Sequence, residues 1–595
     1  ENAACFQGAN DNAIQCPPED FVNEFTEMIE RDRNRASILI WSLGNESGFE
    51  ATTAFRTEFD YVKSVDTSRP VIFSYPYTVS TSPQPYDIYS QHYAGVTSSL
   101  GSADIPVLHD EFAHVSCYNV SDLQRDINVR NFWGESIKMG WENIFTTDGA
   151  LGCALWGGID DVFYIPEGTT ERWQTHSDGA VAGYGEWGSV LDAYLRQKPE
   201  AYLTKKAFSP IRVQEEDAVI TSEGLSIPVK NWFDHTDLSE VKLVYRVDGG
   251  QEQTTAMPAI APHGQGNIFL PGEWDSAQKV NLQFYTADGI MVDEYNLDLT
   301  NAKICFEPAS ETPPALEESE NELVVRGGDF SVTFDKETAQ IKEAVHQDTV
   351  LITGGPYLHV TGMALGDWQA EENGISAALD GNVAVVTLTG SYTNGQKVQF
   401  DVRISGNGIL ESRYTLLSDP AVGSSLSEVG VRYDIPSSVE SVSWLRDGLY
   451  SAYPENHIGR NEGTALKVRE NAEQNPDQYG VKPNWSWKDD MKNYFLYSNE
   501  DPNNGLVTND FKTMRENIWY YSVNFPGTNS RIRVESDGSA AARVNTWYDQ
   551  GYVDDRDSSV RFVGNWYPYD TSADYNGTET YSSTLGDYCE FTFEG

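Results

Sequence analysis

Up to about residue 200 the apolar positions of the chain switch between two periods. Phe21, Phe25, Met28 and Ile29 recur at helical spacing behind the proline and acid start of PPEDFVNEFTEMIERDRN, which predicts a helix with one buried face. The apolar run SILIWSL follows and reads as a core strand. The alternation then returns: AFRTEFDYVKSV is helical, PVIFSY strand-like, YDIYSQHYAG a short strand with a polar exit, and IPVLHDEF another. VRNFWGESIKMGWENIFT is helical again, and LGCALWGGIDD is a strand with an acidic exit. Repeated helix and strand units with near-continuous apolar strands predict a parallel α/β barrel or open sheet.

Beyond KPEAYLTKKAFSPIRV the period changes to short alternating runs such as LSIPVKNWF and EVKLVYRVDG, parted by Asp, Gly and Pro turns. About 100 residues of this all-β pattern suit one sandwich. ETPPALEESENE is Pro-rich and acidic, a linker by composition, and a larger β region rich in Tyr, Trp, Asn and Gly runs on to the end. The expected units are residues 1–203 (α/β), 204–310 (a β-sandwich), 311–322 (linker) and 323–595 (a large β-sandwich). At 595 residues the chain is long enough for several cores.

Asp and Glu number 90 against 41 Lys and Arg, a formal net charge of −49. A field of that sign repels phosphates and anionic lipid surfaces, which argues against nucleic acid and membrane partners. It leaves open a solvated acidic surface or an adaptation to salt. No apolar run approaches the roughly 20 residues of a membrane helix. The six cysteines are too scattered for a disulfide scaffold or a CxxC zinc site, although Cys5 and Cys16 could close a small loop.

Candidate chemistry sits where the apolar strands end. WSLGNES closes on Asn45 and Glu46, and PVLHDEFAH on Asp110 and Glu111. If both strands belong to one barrel, both carboxylates reach its C-terminal rim, where catalytic groups of barrels lie. Two carboxyl groups about 5 Å apart perform glycoside hydrolysis with retention, one protonating the leaving oxygen while the other attacks the anomeric carbon.

These residues resemble a known family. RDRNRASILIWSLGNESG is similar to the acid/base signature of glycoside hydrolase family 2, and PVLHDEFAH to the nucleophile segment of its β-galactosidase branch. QHYAG, ALWGGIDD and GYGEWGSVLDAYLRQKPEAYLTKKAFSP follow in the family's order, and VSWLRDGLYSAYPENHIGR resembles a signature of the large C-terminal sandwich in β-galactosidases. The resemblance implies a multidomain α/β plus all-β protein. Its parts would be the C-terminal half of a (β/α)8 TIM barrel, an immunoglobulin-like β-sandwich and a large C-terminal β-sandwich. The implied activity is that of a retaining exo-β-glycosidase, in first place a β-galactosidase acting on terminal β-galactosides of oligo- or polysaccharides. Glu46 would be the general acid/base and Glu111 the nucleophile; Asn45 would bond the sugar's 2-hydroxyl, Tyr93 sit against the nucleophile, His114 bind sugar hydroxyls and Trp156 stack on the pyranose face.

Alternatives are a β-glucuronidase, which needs cations for the substrate carboxylate and finds few at these strand ends, or another family 2 glycosidase. A carbohydrate-binding subunit without activity is a third. Family members carry further domains and the first barrel strands ahead of the acid/base motif, where this chain has only about 37 residues. A barrel cannot close from four or five strands, so the expectation is a fragment, or a second chain that completes the barrel. The resemblance also implies magnesium and sodium ions with ligands partly outside this chain, Glu46 touching the magnesium. A homo-oligomer in an extracellular or periplasmic setting would fit. HVSCYNVSDLQ departs from the family's HAMGNS, which bears on the outer sugar subsites.

Overall fold

The computed structural model describes residues 2, 4–7, 17–48, 52–76, 83–95, 100–113, 129–159, 175–176, 179–180, 190–191, 195–300, 306–361, 363–418, 428–455, 457–467, 508–544, 560–563, 567–570, 578–581 and 588–591. The first helix, α1, spans Pro18–Asp32. Proline at its start needs no N–H partner, Glu19 and Asp20 complement the positive end, and Arg31 the negative end. Phe21, Phe25 and Ile29 are buried, each contributing about 1.5–3 kcal/mol. Strand β1 is Trp41–Asn45, α2 Thr52–Val65, β2 Val71–Ser74, β3 Ile88–His92, β4 Val107–Glu111, α3 Val129–Thr146 and β5 Ala150–Cys153.

The five strands form one parallel sheet in the order β1-β2-β3-β4-β5. Neighbours in space are neighbours in sequence, so the winding runs in one direction, as in a barrel; a doubly wound sheet reverses. Trp41, Leu43, Val71 and Phe73 share one core with Phe21, Phe25 and Ile29 of α1 and Phe55 and Val62 of α2. The opposite face carries Ser42, Ile72, Ser74, Ile88, Ser90, His92 and Asp110, because parallel pairing sets Ser42 beside Ile72, Ile72 beside Ile88 and Ser90 beside Leu108. At the foot of β1 the Trp41 indole donates to Asp66 at 2.9 Å, and Asp66 is held by Arg69 at 2.6 Å.

A sixth segment lies along β1. Asn2 N–H donates to Ser42 O at 3.1 Å, Asn45 N–H to Ala4 O at 2.8 Å and Phe6 N–H to Asn45 O at 3.2 Å, with a parallel bridge from Cys5 to Asn45. The approach is close enough that a Cβ on Gly44 would stand 2.7 Å from the Ala4 carbonyl, so only glycine fits there.

Past helix α4, Pro199–Ala207, the described residues are almost all β. Two four-stranded antiparallel sheets come first. Gly224–Asn231 pairs with Gln265–Pro271, Ile211–Val213 and Val219–Thr221; Lys242–Val247 pairs with Gln253–Ala256 and Lys279–Tyr285, which pairs with Met291–Asp298. Leu225, Ile227, Ile268 and Leu270 of one meet Leu243, Leu282, Phe284 and Leu297 of the other in a single core. A five-stranded meander, Ala315 to Ile352, and a four-stranded sheet, Trp368 to Leu416, share a second core around Val325, Phe334, Val386 and Phe400. A further sheet, built on Ser441–Arg446 and Arg515–Asn524, encloses a third β core around Trp444, Phe511 and Tyr521.

The composition-based linker 311–322 is corrected here: Ala315–Glu318 is a strand paired with Glu322–Arg326. Its Pro and Glu residues sit on the edge of the sheet, where missing donors and charge are tolerated. The segment after Arg446 does more than continue the last sheet. Its Tyr450 and Ile458 pack with Trp133, Ile137 and Ile144 of α3 and Leu203 of α4, and the Tyr202 hydroxyl donates to the Ala452 carbonyl. Among the described residues no helix is long and apolar enough to cross a membrane.

Candidate active site

Each of β1, β2 and β3 ends on a polar residue and then turns. Glu46, Tyr75 and Tyr93, the first residues beyond those strands, have φ of 42°, 42° and 48°. Left-handed backbone at three non-glycine residues on one rim costs energy that the surrounding packing must supply, and such strain gathers at functional sites. The turns bring Glu46, His92 and Glu111 together, one ligand atom of each lying within 4.8 Å of the others. The two carboxylates thus come from β1 and from β4, three strands away.

His92 stands between them. Its Nδ1 donates to Glu46 Oε1 at 2.9 Å and lies 3.3 Å from Glu111 Oε2. Its Nε2 is 3.0 Å from the Ser74 hydroxyl and 3.5 Å from Asp110 Oδ1. Ser74 donates onward to Asn45 Oδ1 at 2.9 Å, and Asn45 Nδ2 to Cys5 Sγ at 3.5 Å. The Tyr75 ring stacks on the imidazole at 4.8 Å. Burial disfavours charge on His92, but the hydrogen bonds to Asp110 and Glu46 and the charges of Glu111 and Asp110 prevail and push it up to about 9. At neutral pH both ring nitrogens are therefore donors.

Glu111 is buried and accepts a 2.5 Å hydrogen bond from the Tyr93 hydroxyl. Burial raises its pKa, with the Glu46 and Asp110 charges acting the same way; Tyr93 and His92 oppose the rise. Burial also works against Asp110, yet hydrogen bonds from His92, Ser90 and Ser74 hold it below the usual carboxylate range. The Ser90 hydroxyl reaches Asp110 at 2.5 Å while accepting from Tyr75 N–H at 2.8 Å. The site is thus a buried imidazolium ringed by three carboxyl groups, with serines as couplers.

Of the residues expected from sequence, Asn45, Glu46, Tyr93 and Glu111 lie in this one cluster. Trp156 follows β5 and is 43% exposed, so it is no core residue. His114 lies outside the described residues, as does Cys16. Sequence reading missed His92, Ser74 and Ser90. Their signal was faint: polar residues in the middle or at the end of short strands, Ser74 closing VIFS and Ser90 and His92 within IYSQH. Magnesium takes six oxygens in a near-ideal octahedron, and sodium oxygens too, whereas two carboxylates and an imidazole nitrogen make neither set. The described residues alone do not fit either ion.

Residues 9–112 match the family model described as Glycosyl hydrolases family 2, TIM barrel domain. That stretch of the chain is similar to family 2 barrel sequence and to β-galactosidases. A β-galactosidase of Pseudoalteromonas haloplanktis is 51% identical over 51 residues, 9% of this chain and 5% of that protein. One of Lactococcus lactis subsp. lactis is 54% identical over 46 residues, 8% and 4%. A β-galactosidase of Alteromonas mediterranea is 37% identical over 86 residues, 14% and 8%. The matched stretches thus span less than a tenth of each relative's length. A crystal structure of a β-D-mannosidase from Dictyoglomus thermophilum aligns over 67% of this chain and 50% of its own at a TM-score of 0.25 and 14% identity, too slight a likeness to bear on the fold.

Proposed function

We propose that the rim around Glu46 and Glu111 is the catalytic centre of a retaining exo-β-glycosidase that removes terminal β-galactosides from oligo- or polysaccharides. The observation that carries this reading is the carboxylate pair itself, with oxygens within 4.8 Å. That is the short spacing of double displacement; inversion needs about 6.5–9.5 Å to admit a water. Glu111 attacks the anomeric carbon as Glu46 gives its proton to the departing oxygen. Glu46 then takes a proton from water, which releases the sugar from Glu111. Tyr93 and His92 hold the nucleophile's charge, Asn45 is the contact for the 2-hydroxyl, and Trp156 is the platform for the sugar face. His114 is assigned to sugar hydroxyls by resemblance alone.

In the same reading residues 1–203 are the second half of a barrel, 204–310 an immunoglobulin-like sandwich, and the remainder, taking in the strand Ala315–Glu318, a large sandwich of β-galactosidase type. The test is an intact-mass spectrum of the native sample before and after incubation with a 2-fluoro-β-galactoside. One adduct mapping to Glu111 is expected. An adduct elsewhere, or none on an assembly with a complete barrel, overturns the assignment.

A further inference from the structure

The three side chains that fail as a magnesium cage meet the demands of another ion. Two ligands bound to tetrahedral zinc at about 2.0–2.1 Å stand about 3.4 Å apart. His92 Nδ1 already lies 2.9 Å from Glu46 Oε1 and 3.3 Å from Glu111 Oε2. What remains is to close the gap between the two carboxylates, at most 4.8 Å, by rotation about the ends of two glutamate side chains. Imidazole selects for zinc, cobalt, nickel and copper over the oxygen-seeking ions.

The outer shell is also in place. A histidine that binds zinc through one nitrogen is usually held through the other by a carboxylate or hydroxyl. Here Nε2 faces Ser74 Oγ at 3.0 Å and Asp110 Oδ1 at 3.5 Å. The Tyr93 hydroxyl fixes Glu111 Oε2 at 2.5 Å, and the Tyr75 ring covers one face of the imidazole. Glu46 is only partly buried, which leaves a way in and a fourth position for water or an inhibitor.

We infer that Glu46, His92 and Glu111 form a three-ligand site for a borderline divalent cation, zinc first among them, and that the ion and a sugar exclude each other. The ion takes the place of the proton that Nδ1 now shares with the carboxylates; that proton passes to solvent and no atom changes oxidation state. The competition with sugar rests on the glycosidase reading above, whereas the binding does not.

The test is equilibrium dialysis of the full chain, freed of metal by a chelator, against zinc, with visible absorption of cobalt(II) as a second probe of tetrahedral ligation. Wild type is expected to take up one ion per chain. His92→Gln should weaken binding more than 100-fold and Asp110→Asn, which alters only the support, about 10- to 100-fold. Glu111→Gln should weaken it as well, and circular dichroism of each variant separates a lost ligand from a lost fold. Chain carrying the 2-fluoro-glycosyl adduct should bind no ion. Failure to bind zinc, or stoichiometric binding that survives both His92→Gln and Glu111→Gln, overturns the site. Zinc uptake by an assembly with a complete barrel that forms no glycosyl adduct upholds the ion site and sinks the glycosidase reading; an adduct without zinc uptake does the reverse.

Discussion

Replacing Tyr93 by Phe removes the hydroxyl that faces Glu111 and keeps the ring. The hydroxyl donates to Glu111 Oε2 at 2.5 Å, and the backbone there, at φ 48°, suits Phe as it suits Tyr. A hydrogen bond to a charged group is worth about 1.5–3 kcal/mol, and Tyr93 is 42% exposed, so solvent screening favours the lower end. At about 1.5 kcal/mol the variant loses roughly tenfold in kcat/KM. The pH profile carries the sharper signature. In the proposed mechanism Glu111 must be ionised to attack, so activity falls as pH drops through its pKa. The Tyr93 bond favours the charged form against burial, so its loss raises that pKa further and moves the acidic limb of kcat/KM to higher pH. The assay is kcat/KM for an aryl β-galactoside across pH at constant ionic strength, with thermal melting as the control for folding. A limb that stays put or moves to lower pH, with kcat/KM within twofold of wild type, refutes the coupling.

Three further outcomes are expected. Burial raises the Glu58 carboxyl to about 9 against the single bond it accepts from Asn2. The folded state then holds a proton that the unfolded chain releases near pH 4.5, so stability falls as pH rises from there towards 9. Glu58→Gln should flatten that slope and add roughly 3 kcal/mol at pH 7, read from urea midpoints across pH. Lys206 and Asp293 form a buried ion pair, with the Lys206 ammonium 3.6 Å from the Tyr295 ring centroid. Lys206→Met should cost about 3–5 kcal/mol by stranding Asp293, and adding Asp293→Leu should restore most of it in the same denaturation assay. Trp156→Ala should leave the melting temperature unchanged, because the ring is exposed, but raise KM about two- to tenfold, measured by steady-state kinetics, if the ring stacks on sugar as proposed.

Local pattern determined a good deal of this protein. The helix read at VRNFWGESIKMGWENIFT is α3, Val129–Thr146, and the apolar runs became β1 to β5, the first four with somewhat later starts, as at Trp41. Periodicity is a property of neighbouring residues, so it survives without knowledge of the fold. Asn45, Glu46, Asp110 and Glu111 were legible for the same reason: each closes an apolar run and so had to emerge at a rim. Only the tertiary structure decided which of them meet. Parallel register sets β3 between the strands of the two glutamates and turns His92 into the centre of the site, although nothing in QHYAG distinguishes that histidine from an ordinary core residue. The segment at residues 2–6 found its place beside β1, and the run after Arg446 found α3 and α4, through contacts between stretches far apart in the chain. Ala315–Glu318 within ETPPALEESENE became a strand because a neighbouring strand offered it hydrogen bonds that composition cannot foresee.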